Sequence, residues 1–331
     1  MKYYVVLFLL LFTLDLPASN SYNSNIVNQF IDEMYEKHDY KKDNLKELFN
    51  QIKEEKKLKK FFKKAPERRL TWNGCEPQEK QCLNYKKLFV NKHNIENGKI
   101  FMQENSKDLD RASKRFGVPK EIIVAIIGIE TRYGRIKGNI RVIDSLSTLA
   151  FDYPRRSKFF KVQLEEFLLL SREENFNLEE IEGSIAGAMG YGQFMPDSYR
   201  DYAVDFDNDG VRDILNNPID AIGSVANFLN KKGKWKPNVP IAMKAKAISE
   251  VKEITSSFKP YMTEIELEEF GLEATEIIPS NLKFVPISLN LEDGYEYWLG
   301  FDNYQSISRY NRSKLYVMAV FEFSNSLSKF L

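Results

Sequence analysis

Neither sign of charge is in surplus in this chain: 48 lysines and arginines stand against 47 aspartates and glutamates over 331 residues, a formal net charge of +1. Nothing global therefore points to a polyanion, and no nucleic-acid partner is expected. Cysteine is scarce. Cys75 and Cys82, in NGCEPQEKQC, have six residues between them, which fits neither the usual zinc spacing nor a CxxC redox motif. Long apolar runs are missing too, since the uninterrupted run from Tyr3 to Phe12 is too short to span a bilayer comfortably. The glycine-rich stretch Gly183 to Tyr199 has no GKS/T ending and no preceding β-run, which argues against a phosphate-cradling loop.

The chain is 43% hydrophobic, enough for a substantial core arranged in two or three lobes. Lys2, the short apolar run and the small-residue exit at Pro17, Ala18 and Ser19 read as a secretory signal peptide over 1–19. Asp15 near the exit keeps an uncleaved signal anchor as the alternative, and no cysteine follows the run to take a lipid. Export to an oxidising compartment makes Cys75 and Cys82 a candidate disulfide closing a small loop.

In VPKEIIVAIIGIETRYGRIKG, Val118 to Gly138, Pro119 and Glu121 suit the first turn of a helix, and isoleucines cover the rest nearly all round. Such a helix is buried. Ile123, Ile126 and Ile127 lie seven, four and three residues before Glu130, so helical spacing gives the carboxylate an apolar face that raises its pKa. The alternative is a structural carboxylate paired with Arg132, Arg135 or an arginine from elsewhere.

Two apolar stripes, Ile26 to Met34 and Leu45 to Ile52, predict helices, followed by a lysine run from Lys53 to Lys64 that reads as a solvated face. A polar helix is expected around Gln103 to Phe116, and Pro196 opens another. DFDNDGVRD, Asp205 to Asp213, matches positions one, three, five, six and nine of a calcium loop, with the Val211 carbonyl at seven and Asn216 where twelve should be glutamate. Asp220 could supply the missing carboxylate. One unpaired loop suggests a structural clamp for Ca2+ or Na+. Strands are expected at Lys283 to Leu291 and Tyr295 to Asn303, and a final helix around Tyr316 to Phe323.

GIETRYG, FDYPRR at Phe151 to Arg156, GSIAGAMGYGQFMPDSY, the acidic loop with DAIGSVANF, and RYNRS at Arg309 to Ser313 together resemble the membrane-bound lytic murein transglycosylase B family across nearly the whole mature chain. The resemblance implies a mainly α protein: a lysozyme-like helical core, a helical lobe and a small inserted antiparallel β-domain. The matching bounds are 20–105 for the first part of the lobe, 106–236 for the core, 237–308 for the insertion and 309–331 for the returning helix. It implies a periplasmic monomer acting on peptidoglycan glycan strands, with cell-wall synthesis or division proteins as the partner class, and no cofactor in the chemistry. Carried over by motif, Glu130 is the single acid/base. Ser184, Gln193, Arg155, Arg156, Tyr85, Phe194, Tyr310 and Asn311 are groove positions, and Asp205, Asp207, Asp209, Val211 and Asp220 hold the cation. Phe228 stands where the family has tyrosine, which puts a hydrogen bond from that position in doubt.

The implied chemistry closes a 1,6-anhydromuramoyl end and consumes no water. Three rivals stand beside it. One is a muramidase using Asp144, Asp152 or Asp197 to activate water, and another a non-catalytic peptidoglycan-binding scaffold. A calcium-regulated interaction protein is the third and weakest.

Overall fold

The computed structural model describes residues 24–55, 58, 70–73 and 83–329. The 1–19 leader, Cys75 and Cys82 with their disulfide, and the lysine run beyond Lys53 lie outside them. Helices dominate the described residues, as the resemblance implied. No described helix is long and apolar enough to cross a membrane.

Helices Ser24–His38 and Lys42–Asn50 bury the two predicted stripes through Phe30, Ile31, Met34, Leu45 and Phe49. Phe30 and Phe49 meet Phe151 edge to face, each 5.7 Å between ring centres, which ties this pair to helix Val142–Asp152. Three helices follow: Tyr85–Phe89, Lys92–Glu104 and Ser106–Phe116. The polar helix expected around 103–116 is the helix Ser106–Phe116, set off from the one before it at Asn105. Asn105 separates the two, since its amide donates to the Phe101 carbonyl at 2.9 Å and competes with continued helical bonding.

The isoleucine helix runs Lys120–Thr131, with Ile122 to Ile129 buried at its every turn. The closing helix, Lys314–Ser328, packs along it. Gly128 permits that approach, because a Cβ there would sit 2.9 Å from the Phe323 ring and 2.7 Å from the Tyr133 hydroxyl. Helices Val142–Asp152 and Ser157–Glu174 pack on each other, and Pro196–Tyr202 and Pro218–Lys231 complete the core.

The late β-element is a four-stranded antiparallel sheet, ordered in space as 272–274, 242–247, 295–300, 285–290. It has its own apolar cluster of Ala245, Leu272, Phe284, Leu299 and Phe301. Strand Tyr295–Gly300 ends before the expected Asn303. That residue lies in the first turn of a helix, Asp302–Ser308, and its buried side chain bonds Lys236 and Val239 instead. Strand Ala242–Ala247 was not expected, because AMKAKA alternates alanine with lysine and lacks strand-forming side chains.

Candidate active site

Glu130 sits in the last turn of the isoleucine helix, where the chain reverses sharply. Arg132, Tyr133 and Gly134 take φ of 50°, 62° and 80° in succession, an unfavourable run that only the surrounding contacts hold. Thr131 Oγ1 accepts from Gly134 N and donates to the Tyr191 carbonyl, both at 2.9 Å. Gly134 is required for space as well, since its Cβ would lie 2.2 Å from the Tyr191 ring. The helix end is therefore fastened to the glycine-rich loop.

The partner of Glu130 comes from the other end of the chain. Tyr316, 2% exposed near the start of the closing helix, donates its hydroxyl to Glu130 Oε1 at 2.7 Å. None of the described ion pairs includes Glu130, and Arg135 turns its Nε to the Arg132 carbonyl instead. Burial pushes the Glu130 carboxyl up to about 7, against the opposing pull of the Tyr316 hydrogen bond. Burial, and then the neighbouring glutamate, hold the Tyr316 and Tyr310 phenols well above their ordinary range. Both remain protonated donors. Their rings stack at 6.4 Å with 10° between planes, and Tyr310 donates to the Gly192 carbonyl at 2.5 Å.

Tyr310 leads from Glu130 into a cleft of about 580 Å3, lined also by Arg156, Gln193, Phe194 and Phe228. Gln193, held at φ 51°, donates Nε2 to the carbonyls of Lys137 and Gly190 at 3.0 and 3.1 Å. Its amide oxygen is the group left to meet a ligand. The Arg156 guanidinium lies 4.4 Å over the Phe159 ring. Phe228, 4% exposed, packs 4.7 Å from Tyr310 and 5.5 Å from Phe194. A phenyl suffices there as a wall. Ser184 Oγ accepts from Ala186 N and Ala188 N at 3.3 and 3.0 Å, which leaves its hydroxyl proton to donate.

The acidic loop gathers Asp205, Asp207 and Asp209, whose carboxylate oxygens lie within 4.8 Å of one another. No lysine or arginine among the described residues pairs with them. Asp205 accepts from Gly210 N at 2.9 Å, and Asp207 accepts the Asn217 amide at 2.8 Å, which holds its carboxyl below the usual range. Three crowded, uncompensated carboxylates are a donor set suited to a hard cation. Asp220 stands apart: it is fully buried, and its two oxygens accept Phe206 N and Asp213 N at 2.6 and 2.8 Å, clamping the base of the loop.

A family model, "Transglycosylase SLT domain", matches residues 23–325. The chain belongs to this family. It is 38% identical over 309 residues to membrane-bound lytic murein transglycosylase B of Escherichia coli, covering 92% of this chain and 83% of that protein. The solved structure of Escherichia coli lytic transglycosylase Slt35 in complex with calcium is 37% identical, with TM-score 0.82 over 93% of this chain and 94% of that one. That of SltB3 from Pseudomonas aeruginosa in complex with NAG-anhNAM-pentapeptide is 25% identical, with TM-score 0.73 over 91% and 78%. The lysozyme-like helical fold expected for the family is the fold observed.

Within this family member, the structure brings Glu130 and Tyr310 together and places Arg156, Gln193, Phe194 and Phe228 around one cleft. Tyr85 packs 5.0 Å from Phe89, near enough to Tyr316 to act on its phenol. Arg155 and Asn311 are exposed and, like Ser184 and Tyr85, are not among the cleft-lining residues. Of the carboxylates weighed as water activators, Asp144 is locked by Arg141 at 2.7 and 2.9 Å and by Lys53 N at 3.0 Å. Asp197 lines the cleft but accepts from Ser198 N at the start of its own helix. Sequence reasoning missed Tyr316; the available signal was an aromatic three residues past Ser313, the N-cap of the closing helix.

Proposed function

We propose that this chain is a lytic transglycosylase of peptidoglycan in which Glu130 alone serves as acid and then as base. The observation that carries the reading is a lone, cation-free carboxyl held at about 7 beside a cleft. A glycosidase of the ordinary kind needs two carboxylates. Here neutral Glu130 donates its proton to the oxygen joining N-acetylmuramic acid to N-acetylglucosamine. As that bond breaks, the muramoyl acetamido oxygen stabilises C1. Glu130, now a carboxylate steadied by the Tyr316 hydroxyl, removes the proton from the C6 hydroxyl of the same sugar, and O6 closes on C1. The products are a free glycan end and a 1,6-anhydromuramoyl end, with the proton back on Glu130.

Gln193, Phe194, Phe228, Tyr310 and Arg156 form the groove wall in this reading, with Ser184, Tyr85, Arg155 and Asn311 as further contacts. Asp205, Asp207 and Asp209, with the Val211 carbonyl, hold a structural Ca2+ that takes no part in the chemistry, and Asp220 braces them. The chain acts as an exported periplasmic monomer, its 1–19 leader and 237–308 insertion dividing it as the family pattern implies.

Replacing Glu130 by Gln keeps shape and hydrogen bonding but removes the proton, so turnover of purified peptidoglycan falls by about a hundred- to ten-thousand-fold while sedimentation with sacculi persists. Near-normal turnover by that variant would reject Glu130 as the acid.

A further inference from the structure

A second cavity, of about 280 Å3, lies where strand Val285–Asn290 meets the start of the closing helix. Its apolar walls are Ile254, Phe258, Pro286 and Ile287, and no carboxylate lines it. Tyr304 lines it as well. Gly300 lets the phenol seat against Ile287, since a Cβ there would lie 2.8 Å from the Tyr304 ring and 2.9 Å from the Ile287 side chain, and Phe258 stacks on the same ring at 5.7 Å and 23°. The Tyr304 side chain is 1% exposed, yet its hydroxyl, which keeps some accessible surface, makes no hydrogen bond among the described residues. A buried phenol normally has a partner. Burial holds its pKa above the ordinary range, so it stays a donor.

Two cations, Arg312 and Lys314, line the same cavity, and neither belongs to an ion pair among the described residues. Lys314 opens the closing helix, whose first turn holds no acidic residue, so its charge adds to the positive end of the helix dipole with nothing to offset it. Its Nζ donates to the Ser288 carbonyl at 2.7 Å, which leaves two protons for another acceptor. Loss of hydration around Nζ lowers its pKa although the residue as a whole is exposed. A phenol without an acceptor, two unpaired cations and a helix start thus converge on one apolar hollow. Its volume is at the small end for ligand pockets, which suits a small molecule better than a polymer. We infer that this cavity is a binding site for a small organic carboxylate on a compact apolar body, the acid group held by Arg312, Lys314 and the Tyr304 hydroxyl. Ser257, Phe258 and Arg312 also line the larger cleft, so an anion that draws Arg312 inward alters the cleft wall and slows cleavage. That regulatory step rests on the transglycosylase reading of the cleft, whereas the binding does not.

The test titrates the full chain with 3-phenylpropanoate, its neutral amide and acetate, followed by ligand-observed NMR. The phenylpropanoate should bind with a Kd of about 1 mM, and the amide and acetate about tenfold more weakly or less, since one lacks the charge and the other the apolar body. Lys314→Gln should weaken the carboxylate about tenfold and Tyr304→Phe about fivefold, both checked for folding by their melts, with Arg312→Gln serving if Lys314→Gln does not fold. Phenylpropanoate at saturating concentration should slow release of fragments from peptidoglycan about twofold or more in the wild type and not in Lys314→Gln. No binding by phenylpropanoate, equal binding of acid and amide, or binding unchanged by the substitutions overturns the site. Binding lost in Lys259→Gln instead would put the anion in the cleft and overturns it too. Binding without any effect on release overturns the regulation. A wild-type protein that releases no fragments even without the probe refutes the transglycosylase reading instead, while the NMR titration still decides the site.

Discussion

Glu130 in the folded chain titrates at about 7, against an ordinary value of 4.5, so between those two values the folded protein holds a proton that the unfolded chain releases. The stability linked to that proton is fully present below the lower value and is lost as pH rises through about 7. Glu130→Gln cannot ionise. It should therefore melt higher than wild type at pH 8, by at most about 3 kcal/mol, and match it at low pH. Thermal melts at the two pH values check this, and a constant difference would contradict a buried titrating acid. Tyr316→Phe removes the one interaction that favours the carboxylate, so the alkaline limit of kcat should move upward while kcat itself falls about tenfold, the worth of one hydrogen bond. A pH profile that does not move would make Tyr316 a packing residue only. The carboxylate and its apolar helix were legible in the sequence because both belong to one run of residues. The tyrosine was not, since its contact with Glu130 spans 186 positions and no local pattern encodes so distant a pairing.

At the scale of elements, the isoleucine helix was predictable because every face is apolar and because Pro119 marks its start. The short strands were not: AMKAKA becomes strand only through pairing with 295–300 and 272–274, a tertiary override of weak local preference. The cation loop was read from spacing, which aligns Asp205, Asp207 and Asp209, whereas the clamping geometry of Asp220 depends on how helix Pro218–Lys231 lands on the loop. Calcium bound only to the folded state at about a hundredfold over its Kd contributes about 2.7 kcal/mol. Chelation should thus lower the melting temperature by a few degrees, and Asp209→Ala should abolish the response to added calcium. A melt indifferent to both would leave an acidic turn without an ion.

Over the whole molecule, the proposed active site joins distant stretches of chain: in that reading the isoleucine helix supplies the acid, the glycine-rich loop the floor, and the closing helix the hydroxyl that steadies the charge. The motifs in GIETRYG, GQFMP and RYNRS announced the first two and the approach to the third, because each carries its function locally. The basic character of the cleft was hidden by a net charge of only +1, since the cations that line it are scattered between Arg156 and Arg312. With Glu130 proposed as the one acid/base and no carboxylate among the described residues paired to it, the site predicts closure of the sugar upon itself. Mass spectrometry of the fragments released from purified peptidoglycan reads this directly. The account predicts muramoyl ends lighter by one water than a reducing end, absent with Glu130→Gln, whereas reducing ends of full mass would contradict it.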